Sequence, residues 1–306
     1  MALGRRRDDR EAESYAKLTP KMLLLYVLIF AFCVIIISPL VIVFSSSLRT
    51  PGNQTTPLKL FMEFSLESYQ HAFKNMNYPA EFLNSLMTTA GSVLIIIIVA
   101  TMAAYPIGRI KTKLAKFMYY FFISGLIIPS QMVIVPIAQT FSRLGIPNTR
   151  FTPMLMFITC SLPFSVFLFS GFMKSVPVEI EESAYMDGAS LFKRFFAVVF
   201  PLLKPATVSA VITQGLWIWN DYFYPMVFIS RQAQYSLPVG MLQFLGDKEN
   251  PAQWNILFAA CVLCALPLIL IFMLLQKQFI NGIAAGAGGN AGGGICGIRG
   301  NQYEEI

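Results

Sequence analysis

Six long apolar segments constrain the fold of this chain more than any other feature of its sequence. A helix that crosses a bilayer needs about 20 apolar residues, because ~30 Å of hydrocarbon is crossed at 1.5 Å per residue. Six segments reach this length: Met22–Ser46, Ser85–Ile107, Phe117–Phe141, Thr152–Met173, Ala206–Ile229 and Asn255–Leu275. Only 13% of the residues are charged, against about 25% in ordinary soluble domains. The sequence therefore predicts an all-α integral membrane protein with six transmembrane helices.

The first apolar segment predicts an uncleaved span and not a secretory signal peptide. It is far longer than the roughly 7–15 apolar residues of a signal peptide, and no A-x-A-like cleavage site follows it. With the N-terminus inside, 16 of the 23 lysines and arginines fall on the cytoplasmic side. This asymmetry follows the positive-inside rule, so both termini are predicted in the cytoplasm of a multi-pass cell-membrane protein. The net charge of +7 is then explained by topology, and no nucleic-acid partner is expected.

Metal and redox chemistry find little support in the sequence. Cys33, Cys160, Cys261 and Cys264 lie in predicted spans, where a thiol behaves as a small apolar group, and His71 is the only histidine. Structural metal sites need about four converging ligands. We therefore expect no metal site in this chain.

The apolar segments and their connections predict three regions. Residues 1–21 form a cytoplasmic N-terminal arm, residues 22–275 a six-helix permease domain, and residues 276–306 a cytoplasmic, glycine-rich and flexible C-terminal tail. Within the third apolar segment, Pro129 and Pro136 each remove a backbone donor, so that span is expected to be bent or broken.

The largest internal loop, Lys174–Pro205, has the pattern of a helix, a turn and a second helix. Ser175 is placed to cap the first helix and Pro177 suits its first turn. Gly188 stands where a left-handed C-terminal cap is needed, and an amphipathic segment, Leu191–Val199, follows. A capped, rigid protrusion with small side chains suits docking into another protein. From these features alone, an amphipathic helix on the membrane surface is an equally good interpretation.

The same loop carries a motif of a known family. Glu182-Ser-Ala-x-x-Asp187-Gly188-Ala189, followed by Val199-Phe200-Pro201, closely resembles the EAA loop of binding-protein-dependent ABC importer permeases. Ser183 and Phe200 depart from the commoner alanine and leucine but keep the size or the apolar character. Further similar pieces occur in the family's order: Asn84-Ser85, Ala103-Ala104-Tyr105 with Arg109, Ile128-Pro129 to Pro136, Trp219-Asn220-Asp221, and a maltose-type (MalG-like) ending over Gln276–Gly286.

The resemblance implies a type I ABC importer permease fold and a permease subunit that imports a sugar or oligosaccharide. It implies partners: two ATP-binding-cassette ATPase subunits, an extracytoplasmic solute-binding protein, the lipid bilayer and, as in maltose-type systems, a second, non-identical permease. The chain itself has no Walker A sequence, so it is expected to be no enzyme and to hold no cofactor, with ATP and Mg bound by the partners. The residues implied in ATPase coupling are Glu182, Ser183, Ala184, Asp187, Gly188, Ala189 and Pro201.

A solute pathway is the second candidate site. Asp221 is the only ionisable residue inside a predicted span, and a carboxylate at that depth is expected to face a cavity or a partner. With Trp217, Trp219, Asn220 and Gln131 it would suit a polyol. The competing interpretation is that Asn220 and Asp221 hold neighbouring helices together by hydrogen bonds. An alternative function is an ion-coupled secondary transporter that uses Asp221, although such proteins usually carry several charged residues in their spans.

Overall fold

The computed structural model describes residues 20–53, 60–61, 63–246 and 251–288, and no residue in these ranges belongs to a β-strand. The helices are α1 (Pro20–Ser47), α2 (Glu67–Asn75), α3 (Tyr78–Arg109), α4 (Lys113–Ser124), α5 (Ser130–Arg143), α6 (Phe151–Ser175), α7 (Val178–Met186), α8 (Leu191–Leu202), α9 (Lys204–Asn220), α10 (Phe223–Phe228), α11 (Leu237–Met241) and α12 (Trp254–Gly288). The all-α prediction is confirmed.

Four of these helices, α1, α3, α6 and α12, are long and apolar enough to cross a membrane. Helices α8 and α9 meet at a 72° bend and together make a fifth candidate. Leu203 lies at the bend, and Pro205 stands in the first turn of α9, where its missing N–H costs nothing. The described residues thus contain four or five candidate spans, where the sequence predicts six.

The third predicted span, Phe117–Phe141, is not one helix. It is divided into α4 of 12 residues and α5 of 14 residues, and neither is long enough to cross the hydrocarbon core alone. The break ends at Pro129, which precedes the first residue of α5, whereas Pro136 lies inside α5. The expected interruption is confirmed at Pro129, whereas Pro136 lies within α5 without ending it.

The fifth predicted span, Ala206–Ile229, is also interrupted. Helix α9 ends at Asn220, and α10 begins at Phe223. Asp221 therefore lies in the break between two helices and not inside a continuous span, as the sequence analysis assumed.

The helices are grouped into two compact units. One contains the described residues from Pro20 to Ala72 and those within Phe244–Val262. In this unit the Ser68 hydroxyl donates to the carbonyl of Arg49 (2.6 Å), and the Asn255 amide donates to the carbonyls of Thr50 (2.8 Å) and Asn53 (2.7 Å). These bonds hold the segment that follows α1 in place. The apolar side chains of α1 itself are largely exposed.

The other unit contains Phe73–Gln243 and the chain from Leu263 onward. Its core lies mainly between α3 and α6, where Ile96, Ala100, Phe157 and Phe169 are fully buried. Small residues let these helices approach closely, as is usual where two membrane helices pack. One close approach is at Gly108, where an added Cβ would lie 2.7 Å from Cγ of Met173.

Helix α3 begins at Tyr78, seven residues before the predicted start at Ser85, with a proline in its first turn. Asn84 and Ser85 therefore lie within the helix and not at its start. The Asn84 amide donates to the carbonyls of Ala233 (3.0 Å) and Tyr235 (3.1 Å), and the Ser85 hydroxyl accepts from the amide of Leu237 (2.9 Å). The two side chains hold the segment before α11 against α3.

Helix α12 ends at Gly288, whereas the sequence predicts that the last span ends at Leu275. Since alanine, leucine and glutamine favour helix, the first part of the predicted tail continues it. The N-terminal arm up to residue 19 and the tail from residue 289 lie outside the described residues.

Replacing Gly108 with alanine should destabilise the packing of α3 on α6. The new Cβ would meet Cγ and Cβ of Met173 at 2.7 and 3.0 Å, and overpacking of this kind costs about 1–3 kcal/mol. Gly171→Ala is the matched control, because it adds a methyl group to α6 where no atom lies within 4 Å. Thermal denaturation in detergent should show a lower midpoint for Gly108→Ala alone. Equal midpoints for the two variants would contradict this packing.

Candidate functional site

The helix in the large internal loop, α7, is bounded at both ends by backbone geometry. Pro177 precedes its first residue, in an extended conformation. Ser175 does not cap it, contrary to prediction, because this residue is the last of α6 and its hydroxyl donates to the carbonyl of Phe172 (2.7 Å). At the other end, Gly188 adopts φ +77°, a conformation that favours glycine.

The C-terminal end of α7 forms a Schellman motif. The amide of Gly188 donates to the carbonyl of Tyr185 (2.9 Å), and the amide of Ala189 donates to the carbonyl of Ala184 (3.0 Å). This pair of bonds satisfies carbonyls that a helix end leaves free. The predicted glycine cap is confirmed, and it gives the helix a sharply defined end.

The residues predicted for coupling lie together on the surface of this segment. Glu182, Ser183, Asp187 and Gly188 are exposed, whereas Ala184 and Ala189 are half-buried. Pro201 is exposed but lies apart, in α8. Apolar side chains are exposed beside them, with Met186 83% and Tyr185 63% accessible. An exposed apolar patch rimmed by polar residues is typical of a protein contact.

The opposite side of α7 is fastened to α3 through Glu181. One oxygen of its carboxylate accepts from Nε of Arg109 (2.5 Å), and the other accepts from the hydroxyl of Tyr105 (2.9 Å). Arg109 also donates from Nη1 to the carbonyl of Val176 (2.9 Å), just before α7. The side chains of the ion pair are only 11% and 8% exposed. We call Tyr105, Arg109 and Glu181 the anchor.

The sequence analysis missed the anchor. Tyr105 and Arg109 appear in the sequence analysis only as part of a family pattern, and Glu181 does not appear in it. A spacing signal was present, since Tyr105 and Arg109 stand four positions apart and so share a face of α3. Nothing local indicates that Glu181 turns inward while Glu182 turns outward.

Two ring contacts join α8 to the same place. The rings of Tyr105 and Phe195 meet edge to face, 5.2 Å apart, and the guanidinium of Arg194 lies 5.0 Å from the centre of the Tyr185 ring. Cation–π and edge-to-face contacts contribute about 0.5–1.5 kcal/mol each. Helices α3, α7 and α8 therefore meet through one set of side chains.

The structure separates the candidates for the solute pathway. The ring of Trp217 is 40% exposed and packs edge to face on Phe157 (5.6 Å) and Tyr224 (6.2 Å). Trp219 is 3% exposed and donates to the carbonyl of Cys264 in α12 (3.3 Å), so it serves helix packing. Gln131 is exposed and lies in α5, beside Ser130.

Asn220 and Asp221 make local hydrogen bonds. The Asn220 amide donates to the carbonyl of Leu216 (2.8 Å), and an oxygen of Asp221 accepts from the amide of Tyr224 (2.9 Å). Asp221 thus caps the start of α10, and neither bond joins two distant helices. The interhelical role weighed for this pair is not what the structure shows, and Asn220 remains exposed.

Glu81 is an acidic residue in a membrane helix that the sequence analysis did not identify. Because α3 starts early, Glu81 lies in its first turn and is 2% exposed. Its carboxyl group lies against Gly240, where no side chain larger than hydrogen fits. An acidic residue in the first turn of a helix interacts favourably with the helix dipole.

Comparison with known proteins identifies a family of membrane transport components. Residues 96–284 match the family of the binding-protein-dependent transport system inner membrane component. The melibiose/raffinose/stachyose import permease protein MelC of Bacillus subtilis is 34% identical over 250 residues, which cover 81% of this chain and 90% of that protein. The probable starch degradation products transport system permease protein AmyC of Thermoanaerobacterium thermosulfurigenes is 32% identical, with 82% and 91% covered.

A solved structure shows the same fold. It is a chain of a bacterial ABC transporter involved in the import of the acidic polysaccharide alginate, with a TM-score of 0.74. The match covers 86% of this chain and 99% of the other, at 19% identity. The chain therefore belongs to the family of binding-protein-dependent transport system inner membrane components, and it is a permease subunit of an ABC importer.

Proposed function

We propose that this permease imports a sugar or oligosaccharide and that α7 couples the import to ATP hydrolysis in partner subunits. The solute class is supported by the relatives, whose names include a melibiose/raffinose/stachyose permease and a permease for starch degradation products. The observation that carries the coupling role is that α7 presents its motif residues to solvent while Glu181 fastens it to α3.

Membership of this transport family supports ATPase and solute-binding partners in general, and the full set is part of the proposal. Two ATPase subunits, which bind the ATP and Mg, each receive one α7-type helix, and this chain supplies one of them. A second permease, different from this one, supplies the other, and an extracytoplasmic binding protein delivers the solute. Both termini and the loop Lys174–Pro205 lie in the cytoplasm, within the arm, permease domain and tail proposed above.

The anchor explains how motion of α7 reaches the membrane helices. When an ATPase subunit moves Glu182, Asp187 and Gly188, the ion pair between Glu181 and Arg109 carries that displacement to the end of α3. The contact of Arg194 with Tyr185 carries it to α8. Since α3 packs on α6 throughout the core, a displacement of α3 opens or closes the path between helices.

The solute path itself is proposed along the exposed residues of the second site. Trp217 offers an aromatic face, and Asn220, Asp221 and Gln131 offer polar groups, which together suit the apolar faces and hydroxyls of a sugar. Trp219 contributes by holding α9 against α12. The ion-coupled alternative is superseded by membership of a binding-protein-dependent family.

Gly188→Asp should leave the chain in the membrane and uncouple transport. The substitution puts bulk and negative charge on the exposed end of α7, where the partner is proposed to bind. Uptake of labelled raffinose and maltodextrins should fall about tenfold or more, since tenfold weaker binding corresponds to a loss of only about 1.4 kcal/mol.

Gly145→Asp is the matched control for that variant. Gly145 also has a positive φ, +67°, and neither glycine has an atom within 4 Å of an added Cβ. Both variants therefore carry the same strain of about 1–2 kcal/mol and the same charge, but Gly145 lies in the turn after α5. Normal uptake in Gly188→Asp, at normal membrane levels, would rule out the coupling role of α7.

Glu181→Gln should weaken both the fold and the transport. It leaves the guanidinium of Arg109 without its counter-charge, and breaking a buried ion pair from one side costs about 3–5 kcal/mol. Glu179→Gln removes the same charge from an exposed position of the same helix and should change stability by no more than about 0.5 kcal/mol. The midpoint of thermal denaturation and the rate of uptake are measured for both variants. Equal midpoints and equal uptake would contradict the role of the anchor.

A further inference from the structure

A cavity of about 440 Å³ lies where α3, α7 and α8 meet. Its polar wall is formed by Tyr105, Arg109, Glu181 and Arg194. It is large enough for a small ligand. The coupling motif makes no use of it, because Glu182, Asp187 and Gly188 are not among its lining residues.

The cavity has unpaired cationic donors. Within the described part of the chain, Nη2 of Arg109 and Nε of Arg194 are buried and have no hydrogen-bond partner. The one carboxylate in the wall is already engaged, because Glu181 accepts from Arg109 with one oxygen and from Tyr105 with the other. Two guanidinium groups thus face one carboxylate, and a buried donor that stays unpaired is costly. Glu181 balances only one of the two positive charges in the wall, and an anion in the cavity would balance the other.

The rest of the wall is apolar and continues toward the membrane interior. Met102 precedes Arg109 by seven residues, which is about 10 Å along the axis of α3. Met102, Phe192 and Phe196 are 45%, 68% and 49% exposed. The cavity therefore has a cationic part at the end of a membrane helix and apolar surface beside it, which matches a molecule with an anionic head and a hydrocarbon chain.

We propose that this cavity binds a phosphate oxyanion, carried by an anionic phospholipid, between Arg109 and Arg194. Guanidinium groups bind phosphate oxygens through short, charge-assisted hydrogen bonds, often two at a time. The acyl chain lies along Met102 and Phe196. The lipid belongs to the cytoplasmic leaflet, an assignment that rests on the proposed function. The oxyanion site itself does not depend on that function.

The bound phosphate would connect the helices that carry the coupling motion. Arg109 belongs to α3 and already holds α7, whereas Arg194 belongs to α8 and contacts Tyr185 of α7. A phosphate between the two guanidiniums adds a direct link from α3 to α8. The lipid would therefore stiffen the junction through which α7 acts on the membrane helices.

The experiment uses the full-length chain, purified in detergent with whatever subunits accompany it and stripped of lipid. Native mass spectrometry measures the binding of phosphatidylglycerol and of phosphatidylcholine with identical acyl chains. Phosphatidylglycerol should bind about fivefold more tightly, as expected for a basic side chain near an anionic headgroup. Arg194→Gln should abolish this preference, and Arg194→Lys should keep most of it.

Lys193→Gln is the matched control, because it removes the neighbouring exposed charge, which does not line the cavity. It should keep the preference for phosphatidylglycerol. Glycerol phosphate, the headgroup chemistry without acyl chains, distinguishes the source of the oxyanion. No binding of glycerol phosphate supports a lipid, whereas binding that depends on Arg194 supports the oxyanion site with a free phosphate ester as its occupant.

Two results would overturn the proposal: equal binding of the two lipids together with no binding of glycerol phosphate, or equal losses in Arg194→Gln and Lys193→Gln. The midpoint of thermal denaturation shows whether Arg194→Gln remains folded, and Arg194→Lys repeats the comparison if it does not. Since the assay measures binding and not uptake, its failure leaves the coupling role of α7 untouched.

Discussion

The ion pair between Arg109 and Glu181 fastens the exposed helix α7 to α3, one of the long helices of the core. Both side chains are almost completely buried, so the pair has lost most of the stabilisation that water would give it. Its cost is offset by further hydrogen bonds, to the hydroxyl of Tyr105 and the carbonyl of Val176. Such a pair fixes the arrangement of α7 on α3 more than it adds stability, because the bonds of Arg109 and Glu181 to each other, to Tyr105 and to Val176 form together in one geometry.

Both ends of α7 are defined by backbone geometry, in addition to the ion pair. The Schellman motif at Gly188 ends α7 sharply and turns the chain toward α8, and the proline at position 177 defines its start. With both ends defined, the exposed residues between them keep a constant position relative to Glu181. A helix of nine residues has little stability of its own in water, so its rigidity comes from the caps and the anchor.

Much of this organisation can be predicted from sequence, and the reasons for success and failure are physical. Span length is set by the bilayer, so α1, α6 and the start of α12 lie nearly where predicted. Gly188 is predictable because its φ favours glycine. The break at Pro129 is predictable from the proline, whereas the break at Asp221 is not, because no such residue marks it and apolar composition continues across both breaks. Hydropathy therefore merges α4 with α5 and α9 with α10.

The early start of α3, which brings Glu81 into a membrane helix, was hidden for the opposite reason, since its first turns are polar. The anchor was missed because its partners are about 70 positions apart, and only the packing of α3 against α7 brings them together.

The most direct test of the account is whether α7 touches an ATP-binding subunit in the native membrane. A photoreactive amino acid is placed at Met186, which is 83% exposed on α7, and for comparison at Leu144, which is 69% exposed after α5. After illumination of native membranes, mass spectrometry identifies the cross-linked chains. The account predicts that position 186 captures a protein with a Walker A sequence and that position 144 does not. Capture of lipid alone at position 186, or of the ATP-binding subunit at position 144, would contradict it.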